Sequence, residues 1–595
     1  MDMANDSTKL NWALGACVAG TEAFVAAFLS LRVTHENGAG DVVTSISQAS
    51  STTKTLAVVL FILFAAVTVG LLLWMRSLLY PNAHNSRPSR FADEYADMRE
   101  KKATKQAAAI LADSMPGDMG KGRVGRELVR YAGDLGGKAL YSQYEDPETV
   151  YAVTRSGKTR SIVTRRVLEA PGPVLATSTK VDALAYTWLP RQRAMGSRTW
   201  AFDPMNLAHG PLPVRWNPVV GCEEFNIARE RGRAFATASA SDSGGGNTGW
   251  FVERGSQILG YFFHAAALAG RDIDSVHRWV SHPEEALEIL RAAGTRSSQM
   301  MVATLQDLMV DMAAETSSGF KGTMQGALEP IMIPSVLEAL TPAYEDSFDA
   351  EAFLTSNDVL WVLSPDKEGA VASVTTMFVD HIENTARRMS NDLPGQRFTP
   401  PLSNILDEAA HIAALPNLDS LYAEGPGRGI FTCAVFQDDS QVTKRWGTDT
   451  AKVIYQQTRA LYVLGGSKDQ QWNERIANLT ATYEEARVTH TSSQSGSSTS
   501  THTQRRHALL PSDVGKLPIG EAILAPARHD AVVVKLPDIV HDKRWGDEVQ
   551  ESSRIYDEHR AALNALPRSE RAQAREAEAG WMAAGAGDRT EVPAA

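Results

Sequence analysis

"TVYAVTRSGKTRS", residues 149–161, is the stretch on which the reading of this chain turns. Its opening "TVYAV" is β-branched and aromatic and suits a buried parallel strand. "TRSG" makes a turn, and "KTRSIVTRRVLEA" continues at helical spacing with Ile162, Val163 and Val167 on one side. Strand, tight loop and helix form the setting of a phosphate loop. Backbone N–H groups at the helix start face the phosphates, and the helix dipole favours negative charge there. In this reading Thr154, Arg155, Ser156, Gly157, Lys158 and Thr159 cradle a nucleotide; Lys158 reaches the β and γ phosphates and the Thr159 hydroxyl ligates Mg2+. Ala152 stands where such a loop normally opens with glycine, so the full pattern fails at one position. Alanine still permits the turn if its φ stays negative.

An ATPase of this kind needs a second apolar strand ending in Asp, which organises the metal, and an adjoining Glu that polarises the attacking water. "LSNILDEAAHI" (402–412) supplies a short strand, then Asp407 and Glu408, then a helix. Asp203 after "TWAF" and Asp366 after "VLWVLSP" are its rivals. "GRGIFTCAVFQDDSQV" (427–442) reads as a further strand. It would set Gln437 at the carboxyl edge of the same sheet, where ligands bind in parallel α/β folds. "ALYVLGG" (460–466) adds another strand. Arg428, in a turn between core strands, is the candidate to stabilise the transition state at a neighbouring subunit's ATP, with Arg459 as its rival.

A chain of 595 residues holds about two to four domains, and 43% hydrophobic with 22% charged residues excludes a disordered polymer. A net charge of −11 argues against a broad basic face coating nucleic acid, though not against a local basic channel. Cys17, Cys222 and Cys433 are far apart, which argues against a disulfide framework or zinc site and places the bulk in reducing cytosol. Residues 55–75 carry no charge and would make a helix of about 30 Å, the thickness of a bilayer core. Residues 12–31 make a second expected span, with Glu22 facing another helix; a cleaved signal peptide is its rival. Lys54 is alone in the loop 33–54, whereas Arg76, Arg87, Arg90, Arg99, Lys101 and Lys102 follow the second span. The positive-inside rule then predicts a multi-pass protein of the inner membrane, with both termini and the bulk of the chain cytoplasmic.

Taken together, these motifs resemble the coupling proteins of type IV secretion and conjugation, the TraG/TraD-type ATPases, whose RecA-like core is akin to the FtsK and HerA pumps. "TRSGKT", "LDEAAHIAALPNLDSLYAEGPGRGI", "VFQDDSQV", "RTWAFDPMNLA" (198–208), "RWNPV" (215–219) and "RRHALLPSDVGKLPIGEAILAPARHDAVVVK" (505–535) carry the resemblance, over roughly residues 140 to 540. It implies an α/β fold: a RecA-like P-loop nucleotide-binding domain with an inserted all-α domain, preceded by two transmembrane helices. The 249 positions separating Lys158 from Asp407 leave room for that insertion. The expected organisation is a membrane anchor over 1–80, a linker and entry to the cytosolic body over 81–140, the first ATPase part over 141–220, the helical insertion over 221–345, the second ATPase part over 346–540, and a helical or disordered tail over 541–595. The resemblance further implies ATP and Mg2+ as cofactors and a homo-hexamer. Its implied partners are single-stranded DNA with relaxase and relaxosome proteins, secretion-channel components and the membrane. The function expected is ATP-driven delivery of relaxase-bound DNA to the channel. A docking receptor for secreted effectors and an FtsK-like DNA translocase are the alternatives. The polar run 489–504 is expected to form a hairpin tip, or else a loop lining a DNA channel near Arg505 and Arg506.

Overall fold

The computed structural model describes residues 95–114, 128–239, 248–365, 371–493, 496–577 and 579–583. An entry hairpin, β1 (Val129–Leu135) and β2 (Lys138–Gln143), precedes the first parallel strand, β3 (Glu148–Tyr151). The parallel set continues with β4 (Val174–Ser178), β5 (Thr199–Phe202), β6 (Leu212–Pro213), β7 (Val359–Leu363), β8 (Leu402–Leu406), β9 (Ile430–Phe436) and β10 (Ala460–Leu464). A long hairpin of β11 (Thr482–Ser493) and β12 (Gly496–His507) follows, and β13 (Glu521–Pro526) and β14 (Val532–Lys535) close the chain of strands. Twelve strands make one sheet in the order β2-β1-β14-β13-β10-β3-β9-β8-β4-β7-β5-β6. From β10 to β6 every neighbour is parallel, and β13, β14, β1 and β2 are antiparallel on the β10 side. β3, β4, β7, β8, β9 and β10 are buried at every residue, which is why apolar residues dominate them on both faces rather than alternating with polar ones.

Between β6 and β7 the described residues form helices only, among them Phe225–Ser239, Thr248–Leu268, Ile273–Trp279 and Glu284–Ala292. Their buried residues, Phe235, Phe262 and Trp279 among them, share one core with Phe202 of β5. Phe202 in turn stacks at 4.2 Å on Phe378 of the helix Ala372–Asp392 after β7, and Trp216 lies 5.2 Å from the same ring. β11 and β12 pair as far as Ser493 with Gly496, so ordered strand runs into the polar stretch expected to be only a tip. Threonine, abundant there, favours extended backbone despite its polarity.

The tail also departs from a solvated helix. Gly546–Ala565 buries Val549, Ser552, Tyr556 and Leu563, one face at helical spacing, and packs on the helix Asp182–Met195. The Ser552 hydroxyl donates to the Ala185 carbonyl at 2.6 Å, and Trp581 sits edge-on to Trp188 at 5.0 Å.

The expected inner-membrane localisation is corrected. Among the described residues no helix is long and apolar enough to cross a membrane. The helix Thr248–Leu268 has sufficient length, yet it spends its apolar surface on the protein core. The two expected spans, 12–31 and 55–75, lie outside the described residues.

Helix Ala372–Asp392 carries two buried acids. Burial pushes Asp380 up to about 7, with Arg231, Arg233 and Arg387 offsetting only part of the cost, and pushes Glu383 up to about 8. Neither Glu383 oxygen meets a hydrogen-bond partner, although Asn404 of β8 lies beside it. The folded protein therefore keeps protons that the unfolded chain releases above its ordinary carboxyl pKa. Stability falls as pH rises from about 5 to about 8, by up to about 1.4 kcal/mol per pH unit for each group. Glu383→Gln is expected to flatten that decline in denaturation curves taken across this range; an unchanged slope would show that Glu383 ionises freely.

Candidate active site

β3, β9 and β8 are consecutive and parallel in the sheet, so their carboxyl ends open on one edge. The chain leaving β3 makes the loop 154–159, that leaving β8 carries Asp407 and Glu408, and that leaving β9, between them, carries Gln437. The Lys158 ammonium lies 2.9 Å from Asp407 Oδ1 and also contacts Glu408 Oε1. Gln437 Nε2 donates to Glu408 Oε2 at 3.1 Å. Burial alone would pull the Lys158 ammonium down, but Asp407 and Glu408 hold it above its ordinary value. Burial pushes the Asp407 carboxyl up against the pull of Lys158.

Backbone strain collects here. Arg155 has φ 65° and Glu408 φ 53°, left-handed values that non-glycine residues seldom take. Gly157, at φ 89°, supplies the third such turn without a Cβ penalty. Left-handed residues on both sides of Ser156 curl the loop into a concavity of the kind that binds anions. Lys158 and Thr159 then open the helix, whose first turn is widened over Thr159–Val163 before it becomes regular at Thr164–Glu169. The buried Ser156 hydroxyl has no protein partner, which suits a loop built to take phosphate oxygens. Among the described residues no cluster of three or more His, Cys, Asp or Glu could hold a metal unaided. Asp407 and the Thr159 hydroxyl instead match Mg2+, which takes one or two protein oxygens together with phosphate and water.

The unit is braced from below. Glu148, fully buried at the start of β3, accepts from Arg130 Nε at 2.7 Å and from Arg166 Nε at 2.7 Å. Burial would raise the Glu148 carboxyl, but the two guanidinium groups outweigh it and hold it low. Arg130 comes from β1 and Arg166 from the helix after the loop, so this triad ties the strand's base to the helix its own loop begins. At the other end, Thr177 of β4 donates to the Asp407 carbonyl at 2.7 Å.

Residues 401–519, which contain Asp407, Glu408 and Gln437, match the family model described as the TraM recognition site of TraD and TraG. Over those residues the chain is similar to the TraG/TraD-type coupling proteins. No curated protein matches it. Among solved structures, the unbound monoclinic form of the bacterial conjugative coupling protein TrwBdeltaN70 is similar, with 15% identity, a TM-score of 0.51, and 74% of this chain and 91% of that one covered. The plasmid coupling protein TrwB in complex with ADP and Mg2+ is similar at 15% identity and TM-score 0.51, over 68% of this chain and 88% of that one. At such identities the likeness is one of fold.

Within this fold, Lys158, Asp407, Glu408 and Gln437 come together and Thr154–Thr159 form the loop beside them. Arg428 does not join them. It precedes the amino end of β9, on the opposite edge from Gln437, where it donates to Ser390 Oγ and Asn391 Oδ1, each at 2.8 Å. Arg459 precedes the amino end of β10 in the same way. Asp203 follows β5, four strands beyond β9, and accepts from the Ala208 N–H at 2.7 Å; Asp366 lies outside the described residues. Sequence reading missed Thr177 and Ile519, the second of which stands where a Cβ on Gly157 would meet it; Ile519 lies between Pro518 and Gly520, a turn signal that could have flagged it as an exposed aliphatic.

Proposed function

We propose that the chain is a Mg2+-ATP-hydrolysing coupling protein that drives relaxase-bound single-stranded DNA toward a type IV secretion channel. The observation that carries this reading is the convergence of Lys158, Asp407, Glu408 and Gln437 from three neighbouring strands beside one concave loop. Thr154–Thr159 would hold the phosphates of ATP, and Thr159 with Asp407 would hold Mg2+, which supplies charge neutralisation at the phosphates when bound. Glu408 has one oxygen engaged by the Lys158 ammonium and the other by the Gln437 amide. It accepts a proton from water only after Lys158 turns to the phosphates, while Gln437 keeps its carboxylate aimed. Arg428, on the far edge of the sheet, can serve only a nucleotide held by another copy, which accords with a ring of subunits.

The test is ATP turnover by the full chain with and without single-stranded DNA, alongside Lys158→Ala. The variant is expected to lose about 10- to 100-fold in nucleotide affinity, the worth of a charge-assisted contact to phosphate. Wild-type affinity in a variant with unchanged circular dichroism would remove Lys158 from the site. The second reading, a platform that docks a relaxosome protein, is favoured by the description of the matched family model. DNA-stimulated turnover supports the motor; turnover indifferent to DNA, with retained capture of a relaxosome protein, supports the platform.

A further inference from the structure

Ile519 is 76% exposed, yet it reaches the phosphate loop: a Cβ built on Gly157 would lie 3.1 Å from its Cγ2. The turn that presents it is anchored on every side. The Gly466 N–H donates to the Gly515 carbonyl at 3.0 Å, Glu521 to Pro518 at 3.1 Å, and Leu536 to Gly520 at 2.7 Å. Gly465 packs so closely on Leu517 that no side chain fits there. An aliphatic group held in water on a fixed turn gains nothing from the fold itself, since its stabilisation comes only from burial.

Its position is set by the sheet. Leu464 pairs with Ala522, so β13 begins where β10 ends, on the same edge as the loop 154–159. β10 and β13 flank β3 on one side, and β9 and β8 on the other. Lys158's carboxylate partners and Gln437 all lie on the β9 and β8 side, which assigns the terminal phosphate to that flank. A nucleotide lying along the loop then sends its nucleoside to the opposite flank, where Ile519 stands. We propose that Ile519 is the apolar wall on which the sugar and base of the bound nucleoside triphosphate pack. Such a wall reads no hydrogen-bond pattern, so it adds affinity without distinguishing adenine from guanine.

This assignment rests on the phosphate-loop reading above, and the experiment separates the two. ATP, GTP and inorganic tripolyphosphate, each with Mg2+, are titrated into the full chain and into Ile519→Ser and Ile519→Leu. The serine variant is expected to bind ATP and GTP each about five-fold more weakly and tripolyphosphate unchanged, and the leucine variant to match wild type. Wild-type ATP affinity in Ile519→Ser, an equal loss for tripolyphosphate, or a loss confined to one base overturns the wall. If the wild-type chain binds neither ATP nor tripolyphosphate, the phosphate-loop reading itself fails and the wall with it.

Discussion

Glu408→Gln is expected to bind ATP at wild-type strength and to hydrolyse it about 10²- to 10⁴-fold more slowly, the range lost when a positioned general base is removed. The amide keeps the shape of the side chain and a possible contact to Gln437, which donates to Glu408 Oε2 at 3.1 Å. It cannot take a proton from water. It also frees the Lys158 ammonium from one of its two carboxylates, so nucleotide affinity should hold or rise slightly. Phosphate release in steady state, set beside titration with a fluorescent ATP analogue, gives both quantities. Turnover within a few-fold of wild type would strip Glu408 of its role and shift attention to Asp407. Affinity lost together with rate would instead mark Glu408 as part of the binding frame.

Glu148→Ala should cost about 3–5 kcal/mol of stability, because it leaves two guanidinium groups buried without their counter-charge. Arg130 and Arg166 are 1% and 3% exposed, too deep for water to replace the carboxylate. Each retains other contacts: Arg130 lies 4.2 Å over the Phe431 ring, and Arg166 donates to the Tyr131 carbonyl at 2.7 Å. Those contacts orient the arginines and do not neutralise them. The loss should appear in denaturant melts of the whole chain. Nucleotide affinity should fall too, since the triad fixes the helix that Lys158 and Thr159 begin. A change below about 1 kcal/mol would show that the two arginines find relief elsewhere.

Much of this was legible in one dimension. "TVYAV", "LSNIL", "IFTCAVF" and "ALYVL" announce buried parallel strands, since a strand covered on both faces is rich in apolar residues without a polar-outward alternation. Glycine beside lysine and threonine after the first of them raises the expectation of a phosphate loop, and Asp407-Glu408 after a second strand supports it. The buried face of Gly546–Ala565 was also present, as Val549, Ser552, Tyr556 and Leu563, but the charges around it masked the pattern. Arg130, Glu148 and Arg166 gave no signal at all, because charged residues are ordinarily solvated and only their mutual pairing permits burial.

The sequence by itself determined that β3, β8, β9 and β10 become strands and that a loop and helix follow β3, because those preferences depend on neighbours a few bonds away. Tertiary structure alone decided which acidic residue meets Lys158. Asp203 and Asp407 both follow apolar strands, and only the order β3-β9-β8 sets Asp407 2.9 Å from the ammonium and leaves Asp203 on a distant strand. That order comes from pairing between segments hundreds of residues apart, and no local propensity encodes it.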